Sequence, residues 1–487
     1  MFLTHSFPMK KFSFDYSPKT RPFPHQLEAI THIQNHDAVA LFDEQGLGKT
    51  KMVIEALCNN MASGELDGAI IVCRKHLIDV WQDEIQCHSR LRSVVLRGTP
   101  ATKGRRFLTY SHFYLINYEA TFGELERLKA LMGIRKMALV LDESHAIKNP
   151  DTVTAKTILG LRGASRKRII ITGTPVANRP LDLWSQYYFL DGGQLLGTSF
   201  EDFRKRYTPQ LGGNGLRQNE SRFAVLRQTV EANSIRRRKA EVLELPEKTF
   251  VDVAVSLEPK QQAMYDQLRK ELRLTVMTLQ GEVEIDEASE LFKRLLRLVQ
   301  VASNPRLVDP SYDAVPAKFS ALDKIVKQVV DEGLKVIVWT SFVDNVRALR
   351  RRYAEHGAVM IFGGVAMEDR RLVVRRFRDD IETRVLVANP AAAREGLTLT
   401  AANNAVYVDR SFNLVDYLQS QDRIHRISQT RPCTINKLLA KGTIDEYVDE
   451  LLYKKHKLAG FLQGDESSLD STRQYLSKAQ LLEILGG

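Results

Sequence analysis

Ten short apolar runs fall into two sets of five, and that grouping limits the fold more tightly than any other feature of the chain. The first set is AVALF (38–42), AIIVC (69–73), FYLINY (113–118), MALVLDE (137–143) and RIIITGT (168–174). The second is KVIVWTSF (335–342), VMIFGG (359–364), RVLVANP (384–390), NAVYVD (404–409) and TINKLLA (434–440). Each is too short for a helix, is rich in Val, Ile and Leu, and is followed by polar residues or glycine. Such runs suit strands buried on both faces, as in a parallel sheet covered by helices. The polar followers then lie at the carboxyl edge of the sheet, where open α/β sheets bind ligands. The expected fold class is α/β, with two parallel-sheet lobes.

The stretch between the sets reads differently. It opens on the loop-like DGGQLLGTS and LGGNG and continues into charged helical sequence such as KQQAMYDQLRKELRLTVMTLQ. The expected organisation is an N-terminal arm (1–20), a first lobe (21–190), a helical insertion (191–315), a second lobe (316–460) and a helical tail (461–487). A length of 487 residues suits that number of cores. No internal repeat of 20 to 50 residues and no low-complexity tract is evident.

Composition narrows the class of function. Hydrophobic content of 44% and charged content of 26% are those of a globular protein. No run of 18 uncharged apolar residues occurs, and MFLTHSFPMKK lacks the layout of a signal peptide, so a soluble, non-exported chain is expected. Cys58, Cys73, Cys87 and Cys433 are too scattered for a zinc site or a disulfide framework, which fits reduced thiols in the cytoplasm. The net charge of +11 favours a polyanionic partner without establishing one.

The segment LFDEQGLGKT (41–50) carries most of the chemistry. A phosphate-binding loop reads G-x-x-x-x-G-K-[ST], and Gly48, Lys49 and Thr50 match its end, whereas Asp43 stands where the first glycine belongs. Gly46 restores some backbone freedom. The loop follows an apolar run and precedes helical sequence, as the motif requires. Lys49 is then suited to neutralise the β- and γ-phosphates, and Thr50 to bind Mg²⁺. In MALVLDESH, Asp142 supplies a second metal ligand, and adjacent Glu143 a group to orient or deprotonate water.

Together with these, a series of segments in order from about residue 21 to about 458 resembles the superfamily 2 helicase-like ATPases of the Swi/Snf type. RPFPHQ resembles the adenine-reading segment with Gln26, DEQGLGKT motif I and DESHAIKN motif II. ITGTPVANRPLDLWS resembles motif III with its family continuation, and SIRRRKAEVLELPEK the arginine-rich segment before the second lobe. VASNPRL resembles a short asparagine-proline element, KVIVWTSF motif IV, REGLTLTAANNAVYVDRSFN motif V and QSQDRIHRISQT motif VI.

The resemblance implies two RecA-like lobes closing on ATP with Mg²⁺. It assigns Arg423 and Arg426 of motif VI to the γ-phosphate, with Arg426 the better arginine finger, and sets Gln421 beside the nucleotide. Three positions apart, the two arginines are expected on one face of a helix. It further implies sequence-independent contacts to double-stranded DNA from Arg74, Lys75, Asn117, Thr172, Thr174, Thr398 and Thr400. The cluster Arg370, Arg371, Arg375, Arg376 and Arg378 reads equally as a DNA-facing surface or a solvated helix.

GLTLTAAN departs from the motif V core of chromatin remodellers and is more similar to the fork-remodelling and strand-annealing branch. The length leaves no room for a chromatin-reading domain, so a compact bacterial or viral motor is expected, in the cytoplasm and on the nucleoid if bacterial. The leading expectation is an ATP-dependent translocase on double-stranded DNA. A strand-separating or strand-annealing enzyme and a nucleotide-regulated DNA-binding module are its rivals. A protein partner on the helical insertion or the tail is also open, and no membrane association is expected.

Overall fold

A computed structural model describes residues 16–208, 215–278, 290–395 and 397–466, with positions 482 and 485. Most of the expected N-terminal arm and helical tail, and most of LGGNG, therefore lie outside the described residues. The chain divides into two compact units. The first takes in 1–176, 180–208 and 222–242, and the second 177–179, 209–221 and 243–487.

Each unit is built on a six-stranded sheet in which every pairing is parallel. The first sheet comprises β1 (Ala38–Leu41), β2 (Gly68–Cys73), β3 (Ser93–Val95), β4 (Phe113–Asn117), β5 (Met137–Asp142) and β6 (Lys167–Ile171). Across the sheet they run β1-β6-β5-β2-β4-β3. The second comprises β7 (Lys248–Val255), β8 (Val336–Trp339), β9 (Val359–Ile361), β10 (Val385–Ala388), β11 (Asn404–Tyr407) and β12 (Cys433–Ala440). Its order, β7-β12-β11-β8-β10-β9, repeats that of the first strand for strand.

The ten apolar runs supply ten of these strands. The other two lacked the signal used to find the rest. β3 is three residues long in a charged setting, and β7 is an edge strand whose interior is largely solvent-exposed, so neither forms a continuous buried run. β7 lies inside the stretch expected to be helical, and pairs along all eight residues with β12.

Alternation along the strands explains why both sheet faces need cover. In the second sheet, Val336, Val338, Val385, Val387 and Val406 enter one buried cluster with Leu322, Val326 and Leu349. Their neighbours Ile337, Trp339, Leu386, Ala388, Ala405 and Tyr407 enter another with Phe377 and Ile424. Successive side chains of a strand point to opposite faces, so both faces are apolar and both bear helices.

The carboxyl edge of the second sheet is tied by a buried polar network. Asp409, 2% exposed, accepts hydrogen bonds from Ser303 Oγ at 2.7 Å, Thr340 Oγ1 at 2.6 Å and the Ser341 backbone N–H at 2.7 Å. Asn345 donates to Ser303 Oγ at 3.0 Å and accepts from Asn304 Nδ2 at 2.8 Å. The asparagine-proline element is thereby fastened to the ends of β8 and β11. Asp409→Ala strands two buried hydroxyls and a part-buried N–H, and we expect it to lower unfolding free energy by roughly 3 kcal/mol, with Asp409→Asn intermediate, in urea denaturation.

Candidate active site

The phosphate-loop segment sits between β1 and the helix Lys49–Ala62. Gly46 (φ 87°) and Gly48 (φ 81°) take left-handed backbone, which lets the loop double back into the helix. Gly48 offers no side-chain cap, so the first N–H groups of the helix are left for an anion. A Cβ on Gly48 would also collide with the Gln26 amide. Gln26 is buried, donates to Leu47 O at 3.1 Å and accepts from the Phe23 N–H at 3.0 Å, which ties the start of the helix Pro24–Asn35 to the loop. Lys49 Nζ donates to the carbonyls of Asp43 (2.7 Å) and Glu44 (3.1 Å). Enclosure lowers its pKa against the pull of Glu143 and Asp43. Thr50 follows, half-buried, in the helix. The Asp43 side chain is fully buried and paired with Arg237.

The acidic pair ends β5, separated from β1 by β6 alone. Asp142 Oδ2 accepts from the Trp81 indole N–H at 2.7 Å, and its backbone carbonyl accepts from Tyr118 Oη at 2.8 Å. Glu143 holds left-handed backbone (φ 50°), unlike every other non-glycine among the described residues. That conformation is unfavourable for a side chain with a Cβ and persists where the surroundings enforce it. Its Oε2 lies 3.3 Å from His145 Nδ1 and 3.3 Å from Thr172 Oγ1. The two carboxyls are driven apart. Burial, then the neighbouring Glu143 charge, raises Asp142 to about 7. Burial opposes ionisation of Glu143 as well, but His145 and Lys49 outweigh it and lower the group to about 2.

Thr172 is thus 1% exposed and belongs beside Glu143, away from any open surface a nucleic acid would touch. Thr174 is 7% exposed, and its backbone N–H bonds Thr172 Oγ1 at 3.1 Å. Lys75 is exposed, Arg74 lies over the Tyr118 ring at 5.9 Å, and Asn117 donates to Glu119 at 2.7 Å, at the ends of β2 and β4.

In the second unit, Arg423 and Arg426 are not on a helix. The helix Leu414–Gln421 stops before them, and the Arg423 carbonyl accepts from the Leu399 N–H at 3.0 Å. The same bond draws the two motifs together. Arg426 donates to Thr398 Oγ1 at 2.9 Å, Thr400 Oγ1 lies 3.0 Å from Ser428 Oγ, and Gln421 is buried nearby in sequence. Arg370 is likewise no surface group, since its guanidinium donates to the carbonyls of Phe362, Gly363 and Val365. Arg371, Arg375, Arg376 and Arg378 are exposed.

A model of the SNF2-related domain matches residues 25–307, more than half the chain, and a model of the helicase conserved C-terminal domain matches 317–428. The chain belongs to the SNF2-related family. Each of its two units carries a six-stranded, all-parallel sheet. It is similar to an uncharacterised ATP-dependent helicase of Mycoplasma pneumoniae, 27% identical over 86% of this chain and 39% of the relative. It is also similar to the DNA annealing helicase and endonuclease ZRANB3 of Mus musculus, 26% identical over 96% of this chain and 43% of the relative. This SNF2-related chain therefore spans less than half the length of these relatives. Among solved structures it resembles the Sulfolobus solfataricus SWI2/SNF2 ATPase core in complex with dsDNA, at 26% identity over 95% of this chain and 98% of that one, with a TM-score of 0.45.

Three groups around the acidic pair of this SNF2-related chain escaped the sequence reading. His145 sits within DESH and was open to notice, whereas Trp81 and Tyr118 reach Asp142 across 61 and 24 positions with no local signal. The raised Asp142 pKa has a consequence for stability. Its folded-state value, about 7 against an ordinary 3.8, disfavours the ionised form, so the nucleotide-free protein loses stability as pH rises from near 4 through about 7. Asp142→Asn removes that penalty while retaining an acceptor for Trp81. In melts without nucleotide or divalent cation, it should raise Tm over wild type at pH 8, with the gain shrinking toward pH 5.

Proposed function

We propose that this chain hydrolyses ATP and uses the energy to move along double-stranded DNA. One observation carries the catalytic part of the reading: a glycine loop and lysine are set in the field of an acidic pair whose second member is held ionised. Lys49 neutralises the phosphates, and Glu143, kept deprotonated by His145, Lys49 and Thr172, orients and accepts a proton from the attacking water. Trp81 and Tyr118 fix Asp142. Thr50 and Asp142 are hard oxygen donors of the kind Mg²⁺ takes, and the ion would supply charge neutralisation at the phosphates. Arg423 and Arg426 are assigned to the transition-state charge, a role worth roughly 10³ to 10⁵ in turnover.

Family membership and the +11 net charge support a DNA track. A second reading, strand annealing, draws on GLTLTAAN and the likeness to an annealing helicase. Steady-state ATPase assays without nucleic acid and with duplex DNA, single-stranded DNA or RNA, at stated salt, separate these. The translocase reading expects stimulation chiefly by duplex, with triplex displacement and no unwinding. Preference for single strands or forks would favour the second reading.

Lys49→Ala should abolish stimulated turnover, and Glu143→Gln should bind ATP without hydrolysing it. Wild-type turnover in either variant would defeat the site assignment.

A further inference from the structure

Asp43 breaks the phosphate-loop pattern, and its partner explains the substitution. The stretch Ile235–Arg237 runs beside the edge strand β1. The Ile235 N–H donates to Ala40 O at 2.9 Å, Phe42 N–H to Ile235 O at 2.8 Å, and Glu44 N–H to Arg237 O at 3.0 Å. These bonds satisfy backbone groups that an edge strand would otherwise leave open. Arg236 Nη1 donates to Phe42 O at 2.6 Å, and Lys239 N–H to Glu44 Oε2 at 2.7 Å. Arg237 grips Asp43 with two donors, Nε to Oδ1 at 3.1 Å and Nη2 to Oδ2 at 2.6 Å. Its remaining Nη1 reaches the His25 carbonyl and Glu28 Oε2 at 3.4 Å. His25 Nε2 in turn lies 3.2 Å from Leu47 O inside the loop.

The Asp43 side chain is 0% exposed and that of Arg237 14% exposed, so the fork is desolvated and geometrically fixed. A glycine at position 43 would give the arginine nothing to hold. The segment so anchored is also the one by which the chain leaves the first unit, since the second unit resumes at residue 243.

We propose that Arg237 is a positioning residue for nucleotide. Through Asp43 it latches the departing segment to the phosphate loop, so that nucleotide affinity and the order of residues 235–239 are linked. The inference rests on the phosphate-loop reading above. Linkage is reciprocal: a latch that favours the binding-competent loop is itself tightened by nucleotide.

The test is a double-mutant cycle on the full chain with Arg237→Gln, Asp43→Asn and their combination, plus Arg237→Lys. It is read by equilibrium binding of a fluorescent ATP analogue, by KM and kcat, and by amide exchange. Arg237→Gln should weaken nucleotide binding and raise KM for ATP by about tenfold, within the usual range of coupling between sites, with less effect on kcat. The combined variant should be no worse than Arg237→Gln alone, and Arg237→Lys should recover part of the loss because it keeps the charge without the fork. Nucleotide should slow exchange at the Ile235 amide in wild type and not in Arg237→Gln.

If burying one unpaired charge prevents Arg237→Gln from folding, the combined variant carries the comparison with wild type. Wild-type affinity in Arg237→Gln or in the combined variant would overturn the proposal, as would additive losses that follow Tm alone. Failure of the underlying reading is distinct: Lys49→Ala would then bind the analogue as wild type does.

Discussion

Because every strand of a sheet runs the same way, every strand ends at one edge, and the chemistry of the first unit depends on that constraint. Adjacent strands lie roughly 4.8 Å apart, so β1 and β5, separated by β6, end about 10 Å from each other. A lysine side chain from the loop after β1 bridges much of that span. Thr172, just past β6, fills the gap and donates to Glu143. No long-range signal is needed to bring Lys49, Thr172 and the acidic pair together. Strand order does it.

The same arrangement sets an electrostatic conflict. Two adjacent, half-buried carboxyls share one lysine, whose nearest bonds go to backbone carbonyls of its own loop. The conflict is resolved by giving them different neighbours. An indole N–H is a neutral donor and steadies Asp142 without fully compensating its burial, whereas the histidine and the lysine keep Glu143 charged. The left-handed backbone at Glu143 turns the chain sharply at that point and sets its side chain apart from that of its neighbour. Stability is thereby held back at this strand end.

Most of the architecture was legible because its signal is local. Runs such as AIIVC and RVLVANP declare buried strands by themselves, and GLGKT and DESH declare a loop and an acidic strand end. What was not legible depends on distant partners or on exposure. β7 is exposed along most of its length and lies in a stretch that reads as helical, and Trp81 looks like one more apolar residue of the helix Ile78–His88 until its indole meets Asp142. The spacing of Arg423 and Arg426 suggested a helix face, but the helix Leu414–Gln421 ends before both, and the Arg423 carbonyl meets the Leu399 N–H, 24 positions upstream. Spacing alone does not report where a helix stops.

The two sheets share one strand order, so each position at the edge of one has a counterpart in the other. β5 corresponds to β11, and where the first strand delivers Asp142 toward a site, the second delivers Asp409 two residues past its end. That carboxyl is closed in by Ser303, Thr340 and Ser341. The second sheet thus also has an acidic residue at this strand end, but there the carboxyl is enclosed and serves as a rivet. A duplicated scaffold can in this way divide labour between its halves without changing its topology: one half leaves its strand ends open to chemistry, and the other closes them to become stiff.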